Sequence, residues 1–342
     1  MFLTAAPLAP PGLGEFLGLS ATTSFVLPVA ATALAAIYLL GAVTIWMRGH
    51  RWSVLRTVSF VLGCVVVAAT TGSAVEDYSQ VMLSVFMFEQ LTLMMLAPPL
   101  LVLGSPGRLL LRSVHHRGLG RVALVTYLSV VRSAPARWIL HPALSVAVFL
   151  LLFYGLYLGD LLDPILVVPG GHVSLEVVFL VAGILFTIPI LSDDPLPIRM
   201  SHPARAVDLA AEVALLAFFG VFLMISPTLV SDYFSSPPPS LVIDPFFDQG
   251  LAGGLAWSYG TGPTLLLLLY ILNRWFRDDT RRAAAADARS LRFGDPDLDA
   301  YNVYLARLRN RSNREEQGNT GAVEAARTAL YPAEWSQEGN SR

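Results

Sequence analysis

The sequence contains no lysine; all 23 basic side chains are arginine. It holds one cysteine, Cys64. That excludes an intramolecular disulfide, a Cys-x-x-Cys redox centre, a thiolate zinc site and a cysteine-ligated iron–sulfur cluster. Charge is scarce: 14% of the 342 residues are charged, against about 25% in an average soluble domain. With 54% hydrophobic residues and a mean hydropathy of +0.59, the chain is too apolar for an ordinary soluble enzyme. No basic residue precedes Arg48, and a cleaved signal peptide needs a basic start, so none is expected. No repeat and no second globular domain is visible. The loops are too short for a soluble catalytic domain, so no enzymatic activity and no nucleic-acid partner are expected.

What is present is a series of long apolar runs. A membrane-crossing helix needs about 20 mostly apolar residues at a rise of ~1.5 Å each. Seven stretches meet this: 24–47, 57–75, 81–103, 139–159, 173–192, 205–226 and 251–272. The fold class is therefore all-α, a polytopic membrane helix bundle with seven transmembrane helices in the lipid bilayer. Residues 121–132 are apolar between two arginines but too short to cross, and read as an interfacial segment.

Arginine sets the orientation, because basic residues accumulate in short cytoplasmic loops. Arg48, Arg51 and Arg56 lie between the first two stretches. Arg108, Arg112, Arg117, Arg121, Arg132 and Arg137 lie between the third and fourth. Arg199 and Arg205 lie between the fifth and sixth, and the remaining 12 follow the seventh. The alternate loops have none, so the N-terminus is expected outside and the C-terminus inside. Three parts follow: an extracytoplasmic segment 1–23, a membrane domain 24–272, and a cytoplasmic tail 273–342. In the tail, Leu298, Tyr301, Leu305 and Leu308 recur at helical spacing, while 311–342 is polar and expected to be disordered. The outer loops carry Glu15, Glu76, Asp77, Asp160, Asp163, Asp232, Asp244 and Asp248 with no basic counterweight. This is either a by-product of the arginine asymmetry or an attraction for cations and basic surfaces.

Ionisable groups at membrane depth are costly and therefore candidates for function. Glu89 lies in the third stretch. Glu176 lies near the outer start of the fifth, with His172 one turn before it on the same face. All three belong to the outer leaflet and converge if their helices are neighbours. One imidazole with two carboxylates suits a divalent cation or a proton, and suits Cu(I) poorly unless thioethers join. The third stretch supplies Met87 and Met94, with Gln90 on roughly the same face. The bland readings are adaptable packing for the methionines, a hydrogen-bonded neutral carboxyl for Glu89, and a water-exposed pair for His172 and Glu176. Glu212 and Asp208 lie on the cytoplasmic half of the sixth stretch, at a different level. Pro98 and Pro99 interrupt the hydrogen-bond ladder of the third, a structural kink that opens a cavity or serves packing.

The run Glu89-Gln90-Leu91-Thr92-Leu93-Met94-Met95-Leu96-Ala97-Pro98-Pro99, continuing to Gly104-Ser105-Pro106, resembles the signature of the CtaG family of bacterial cytochrome c oxidase assembly proteins. His141-Pro142, the stretch from Gly183 through Phe186 and Pro189 to Asp194-Pro195, and Tyr301-Asn302 through Leu305 are similar to other family segments. The resemblance covers about 30–310 and implies a multi-pass protein of the bacterial plasma membrane. Its implied role is copper delivery or metallation support at the outer face during respiratory-chain biogenesis. Oxidase subunits or other assembly factors are the implied partners. The family pattern has two His-x-x-x-His pairs. Here the corresponding positions are Phe86 and Gln90, and His172 and Glu176, so three of four imidazoles are absent. Two alternatives stay open: a transporter for a small cation or solute using the intramembrane carboxylates, or a ligand-free scaffold of an oxidase assembly complex. A transporter predicts matching broken helices in the two halves, and only the break at Pro98-Pro99 is visible in the sequence.

Overall fold

Proline and glycine punctuate the chain into helices. The computed structural model describes residues 25–114, 119–131, 133–191, 201–293 and 296–330. Among these no strand occurs. The first helices are α1 (Val26–Met47), α2 (Val54–Gly72) and the short α3 (Ala74–Ser79). Next come α4 (Leu83–Leu91), α5 (Ala97–Leu103), α6 (Pro106–Ser113), α7 (Leu119–Val131) and α8 (Ala134–Ile139). They are followed by α9 (Pro142–Leu150), α10 (Leu156–Leu158), α11 (Leu162–Val167), α12 (Gly171–Leu191) and α13 (His202–Ile225). The last are α14 (Pro245–Leu255), α15 (Thr261–Phe293) and α16 (Pro296–Leu330).

Starts follow the expected chemistry. His141 caps α9, its Nδ1 accepting from Ala143 N at 3.2 Å, with Pro142 in the first turn. Asp244 caps α14 by accepting from Phe247 N at 3.1 Å, with Pro245 next. Both follow the rule that side-chain acceptors and an early proline satisfy or remove the orphan N–H groups of a helix start.

Among the described residues, six helical segments are long and apolar enough to cross a membrane: Val26–Met47, Val54–Gly72, Leu83–Ser113, Gly171–Leu191, Pro203–Ile225 and Pro245–Ser290. The stretch expected at 139–159 is the shorter apolar helix Ala143–Leu158. The His141-Pro142 start and a sharp turn at Gly159–Asp160, where Asp160 has φ 53°, cut it short. At ~1.5 Å per residue it measures about 24 Å, against a hydrocarbon core of ~30 Å.

Three of these helices widen by one π-turn: Thr92–Leu96 between α4 and α5, Leu151–Gly155 between α9 and α10, and Ala256–Gly260 between α14 and α15. The first explains what Pro98 and Pro99 do. Helix α5 continues through both prolines, and the ladder is disturbed one turn earlier, where their rings crowd the carbonyls of Met94 and Met95. Ala256–Gly260 has the same relation to Pro263, which crowds the carbonyl of Tyr259, while Leu151–Gly155 has no proline in the turn after it; the sequence expectation of a single break was too low. Two of them meet: Thr92 Oγ1 lies 2.9 Å from Tyr259 Oη.

Leu83–Ser113 is the central element, 78% buried in its most apolar window, against 22% for Val26–Met47. Helix α12 reaches it through Gly183, where an added Cβ would sit 2.3 Å from the Met94 carbonyl oxygen. Helices α13 and α14 cross through Gly220 and Gly253, each backbone filling the space of the other's Cβ. An aromatic core fills the interior. Phe153 touches Phe149, Phe179 and Phe219; Tyr157 lies 5.4 Å from Phe219 and 6.5 Å from Phe86 between ring centroids.

The chain divides into two compact units, Met1–Asn273 and Arg274–Arg342. In the second, residues 311–330, expected to be disordered, extend α16 instead. The polar composition misled because Ala, Glu and Arg are strong helix formers and Arg311 pairs with Glu315 one turn on at 3.1 Å. Leu298, Tyr301, Leu305 and Leu308 lie on this helix and are exposed. Residues 1–24, including Glu15, and 331–342 lie outside the described residues.

Candidate functional site

Three segments of the first unit bring four side chains of metal-donor type together. Glu76 comes from α3, Glu89 from α4, and His172 and Glu176 from the first two turns of α12. One ligand atom from each lies within 4.8 Å of all the others. His172 Nε2 is the hub. It stands 3.2 Å from Glu89 Oε2, 3.6 Å from Glu176 Oε1 and 3.7 Å from Glu76 Oε2. Glu76, Glu89 and Glu176 are 1%, 0% and 1% exposed; the His172 side chain, at 14%, is the open edge.

The local chain explains each placement. The short helix α3 begins at Ser73, whose hydroxyl accepts from Val75 N at 3.3 Å. Its apolar side, with Val75 and Tyr78, packs with Val81, Met82 and Val85, which turns Glu76 inward. Glu89 lies on the same face of α4 as Phe86, whose ring meets the His172 ring at 5.3 Å. His172 and Glu176 are one turn apart on α12.

A second ring of contacts fixes this geometry. Ser79 Oγ donates to the Glu76 carbonyl at 2.8 Å. Its single hydrogen being used there, it accepts from His172 Nε2–H at 3.0 Å. Gln80 Nε2 donates to Glu76 Oε1 at 3.4 Å. Asp248 of α14, 4% exposed, caps the start of α4: it accepts from Leu83 N at 2.6 Å, from Ser84 N at 3.3 Å and from the Ser84 hydroxyl. The helix that carries Glu89 is thereby pinned from a different part of the chain. Asp163 similarly accepts from Asp232 N at 2.7 Å and from the Ser231 hydroxyl, and Gln249 Oε1 accepts from Val230 N at 2.8 Å.

The electrostatics are unbalanced. Three carboxyls face one imidazole in a buried space, and like charges at this range cannot all ionise without protons or a cation between them. Burial pushes the Glu76 carboxyl up to about 7; the Glu89 charge adds to this, while the neighbouring Glu176 carboxyl and the His172 imidazole oppose it. Glu76 Oε2, Glu89 Oε1 and Glu176 Oε1 are buried with no hydrogen-bond partner.

Of the side chains singled out in the sequence, Glu89, His172 and Glu176 meet. Gln90 is fully buried beside Glu89, with neither amide atom hydrogen-bonded. Met87 and Met94 are buried in the main apolar core. Met94 packs against Gly183, eleven positions after His172, about 16 Å along the helix by its rise. Pro98 packs against the same glycine, and Pro99 is buried next to it. Glu212 is buried on α13 with both oxygens unpartnered, outside the cluster. Sequence reasoning placed Glu76 among ordinary loop acids. The signal available was the apolar spacing Val75, Tyr78, Val81, Met82, which predicts a loop that packs rather than one that floats.

The sequence model of the cytochrome c oxidase caa3 assembly factor family (Caa3_CtaG) matches residues 36–278, a range that contains all four ligating residues. The chain belongs to that family. It is 34% identical over 285 residues to uncharacterized proteins of Mycobacterium bovis and Mycobacterium tuberculosis, covering 82% of this chain and 43% of each relative. An uncharacterized protein of Mycobacterium leprae is 32% identical over 284 residues, with 81% and 43% coverage. The chain thus spans less than half the length of the curated relatives it matches. No solved structure matches. Family membership and several apolar helices together make it a multi-pass membrane protein of an oxidase assembly family.

Proposed function

We infer that the protein assists assembly of a cytochrome c oxidase from the bacterial plasma membrane, without enzymatic activity of its own. It crosses the bilayer seven times, N-terminus outside. The short helix Ala143–Leu158 is the fourth crossing, shielded by its neighbours where it falls short of the bilayer. Confinement of arginine to alternate loops supports this orientation. It puts α3, the start of α4 and the start of α12 on the outer side. The protein's working part is then the Glu76–Glu89–His172–Glu176 cluster, and its task is handling a metal ion during metallation of the oxidase. The observation that carries the reading is the cluster itself, inside the range that defines family membership. Copper is the cargo that the family suggests. Among its two common ions, the oxygen-rich donor set accepts Cu(II) and disfavours Cu(I).

The test is deletion of the gene in its native host, with oxidase activity and haem a absorbance measured in membranes. Both are expected to fall, and to return with the wild-type gene but not with Glu89→Gln. Normal oxidase in the deletion strain overturns the reading. A reporter fused to the C-terminus is expected to be active only in the cytoplasm.

One observation favours a second reading. The π-turns at Leu151–Gly155 and Ala256–Gly260 add broken helices in both halves of the bundle, as a transporter of small cations has. Ion flux into liposomes containing the purified protein separates the two.

A further inference from the structure

The assembly reading leaves the chemical class of the ion open, and the geometry narrows it. We propose that Glu76, Glu89, His172 and Glu176 form a site for one divalent transition-metal ion of the Mn(II)-to-Zn(II) range, and that Cu(I) is not its ligand. The proposal rests on the outer cluster being the working part of the protein.

Size is the first argument. A four-coordinate ion with bonds of ~2.0–2.1 Å to N and O donors requires ligand atoms about 3.3–3.4 Å apart. His172 Nε2 is 3.2, 3.6 and 3.7 Å from the three carboxylate oxygens, within a few tenths of an ångström of that spacing, and all four donor atoms lie within 4.8 Å of one another. Calcium needs six to eight oxygens at ~2.3–2.6 Å, and magnesium keeps several waters in a near-octahedral shell. A buried group of four donors that includes an imidazole provides neither.

Unmet bonding is the second. Two of the oxygens facing His172, Glu76 Oε2 and Glu176 Oε1, are buried without a hydrogen-bond partner. A buried polar atom without a partner destabilises the fold, so a bundle that keeps two at one point has another use for them. A dication meets both oxygens at once and offsets the excess of carboxylates.

Donor softness is the third. Cu(I) selects thiolates and thioethers. The four donors include no sulfur; Met94 lies at the level of Gly183, Met87 is buried in the main apolar core, and Cys64 on α2 follows Gly63, which packs against Leu101 of α5. Carboxylates and imidazole suit the divalent series.

Support and access complete the arrangement. Gln80 holds Glu76 and Asp248 pins the helix of Glu89, contacts that orient the carboxylate donors from outside the cluster, while Ser79 holds Nε2 of the His172 ring until an ion takes that atom. The ion enters at His172, the one member that is not fully buried. Binding displaces the hydrogen that Nε2 donates to Ser79.

The experiment uses the purified full chain in nanodiscs, stripped with a chelator. Zn(II) and Mn(II) uptake is read by mass spectrometry and calorimetry, and Cu(I) uptake under reducing conditions against a Cu(I)-specific chelator. The expected result is one divalent ion per chain, no Cu(I) retained, and a more than about 100-fold loss of affinity in Glu89→Gln and in His172→Ala, beyond the ~10–100-fold of a second-shell change. Bound Co(II) is expected to give the intense visible absorption of a tetrahedral site in the wild type. Melting of each variant without metal checks that it folds. Retention of Cu(I) with divalent ions ignored overturns the assigned class and leaves the assembly role standing. Failure to bind any of these ions overturns the site. Divalent uptake with normal oxidase in the deletion strain upholds the site and removes only the assembly reading.

Discussion

Glu89 and Glu212 are both buried in this bundle, and they differ in company rather than in burial. Glu89 is 0% exposed and Glu212 is 3% exposed. Around Glu89, two other segments deliver an imidazole and two more carboxyls, with every ligand atom inside 4.8 Å of the rest. Glu212 has both oxygens unpartnered, and the acid near it is Asp208, one turn earlier on its own helix. Among the described residues, the Glu89 cluster is the one group of three or more metal-donor side chains. An acid at membrane depth marks a place worth inspecting; convergence from separate helices is what gives that place a chemistry.

The sharpest way to break this contrast is metal-dependent stability. An ion that binds only the folded state at about 100 times its Kd adds ~2.7 kcal/mol. Zn(II) is therefore expected to raise the melting temperature of the wild-type protein, and a chelator to reverse the rise. Glu89→Gln is expected to abolish the rise and Glu212→Gln to keep all of it. Equal shifts in both variants would show that the ion sits elsewhere.

A smaller effect is expected at Asp248, which touches no member of the cluster yet holds the helix of Glu89. Asp248→Ala leaves the Leu83 and Ser84 N–H groups without their acceptor. The expected cost is about 1–3 kcal/mol of stability, from buried donors left unpaired. Affinity for Zn(II) is expected to fall about 10-fold, the low end for loss of a supporting partner. Asp248→Asn keeps an acceptor oxygen and is expected to recover part of both. Destabilisation with unchanged affinity would mean that α4 keeps its place without the cap, and that Asp248 serves the fold alone.

These residues also show what the sequence could and could not disclose. The helices were legible because membrane-length apolar runs bounded by Pro, Gly and Arg have few other solutions. His172 and Glu176 were legible as a pair because four residues make one helical turn, and Glu89 because it stands alone in an apolar run. Their meeting was not legible, since it depends on which helices are neighbours, and Gly183 settles that by admitting the Met94 backbone. Glu76 and Asp248 were hidden for a related reason. Both lie in segments that read as outer loop, and the contacts that bury them join positions 248 to 83 and 76 to 172. The wide turn at Leu151–Gly155 left no trace, because a π-turn needs no special residue when neighbouring helices hold it, whereas the one at Ala256–Gly260 was marked by Pro263 and was missed.

The smallest effect is expected at Glu212, and it is the most informative because the comparison stands or falls there. Glu212→Gln preserves the shape of the side chain and removes only the capacity for charge. If Glu212 is a packing element of α13, stability is expected to change by less than about 0.5 kcal/mol. Divalent affinity is expected to stay within about twofold of the wild type, because changes at distant sites without shared partners act independently. Complementation of the deletion strain is expected to be complete. The opposite result, full ion binding at the Glu89 cluster with no recovery of oxidase, would assign Glu212 a function of its own. Cluster and lone acid would then be two stations in one protein, and liposome flux in Glu212→Gln would decide whether an ion passes between them.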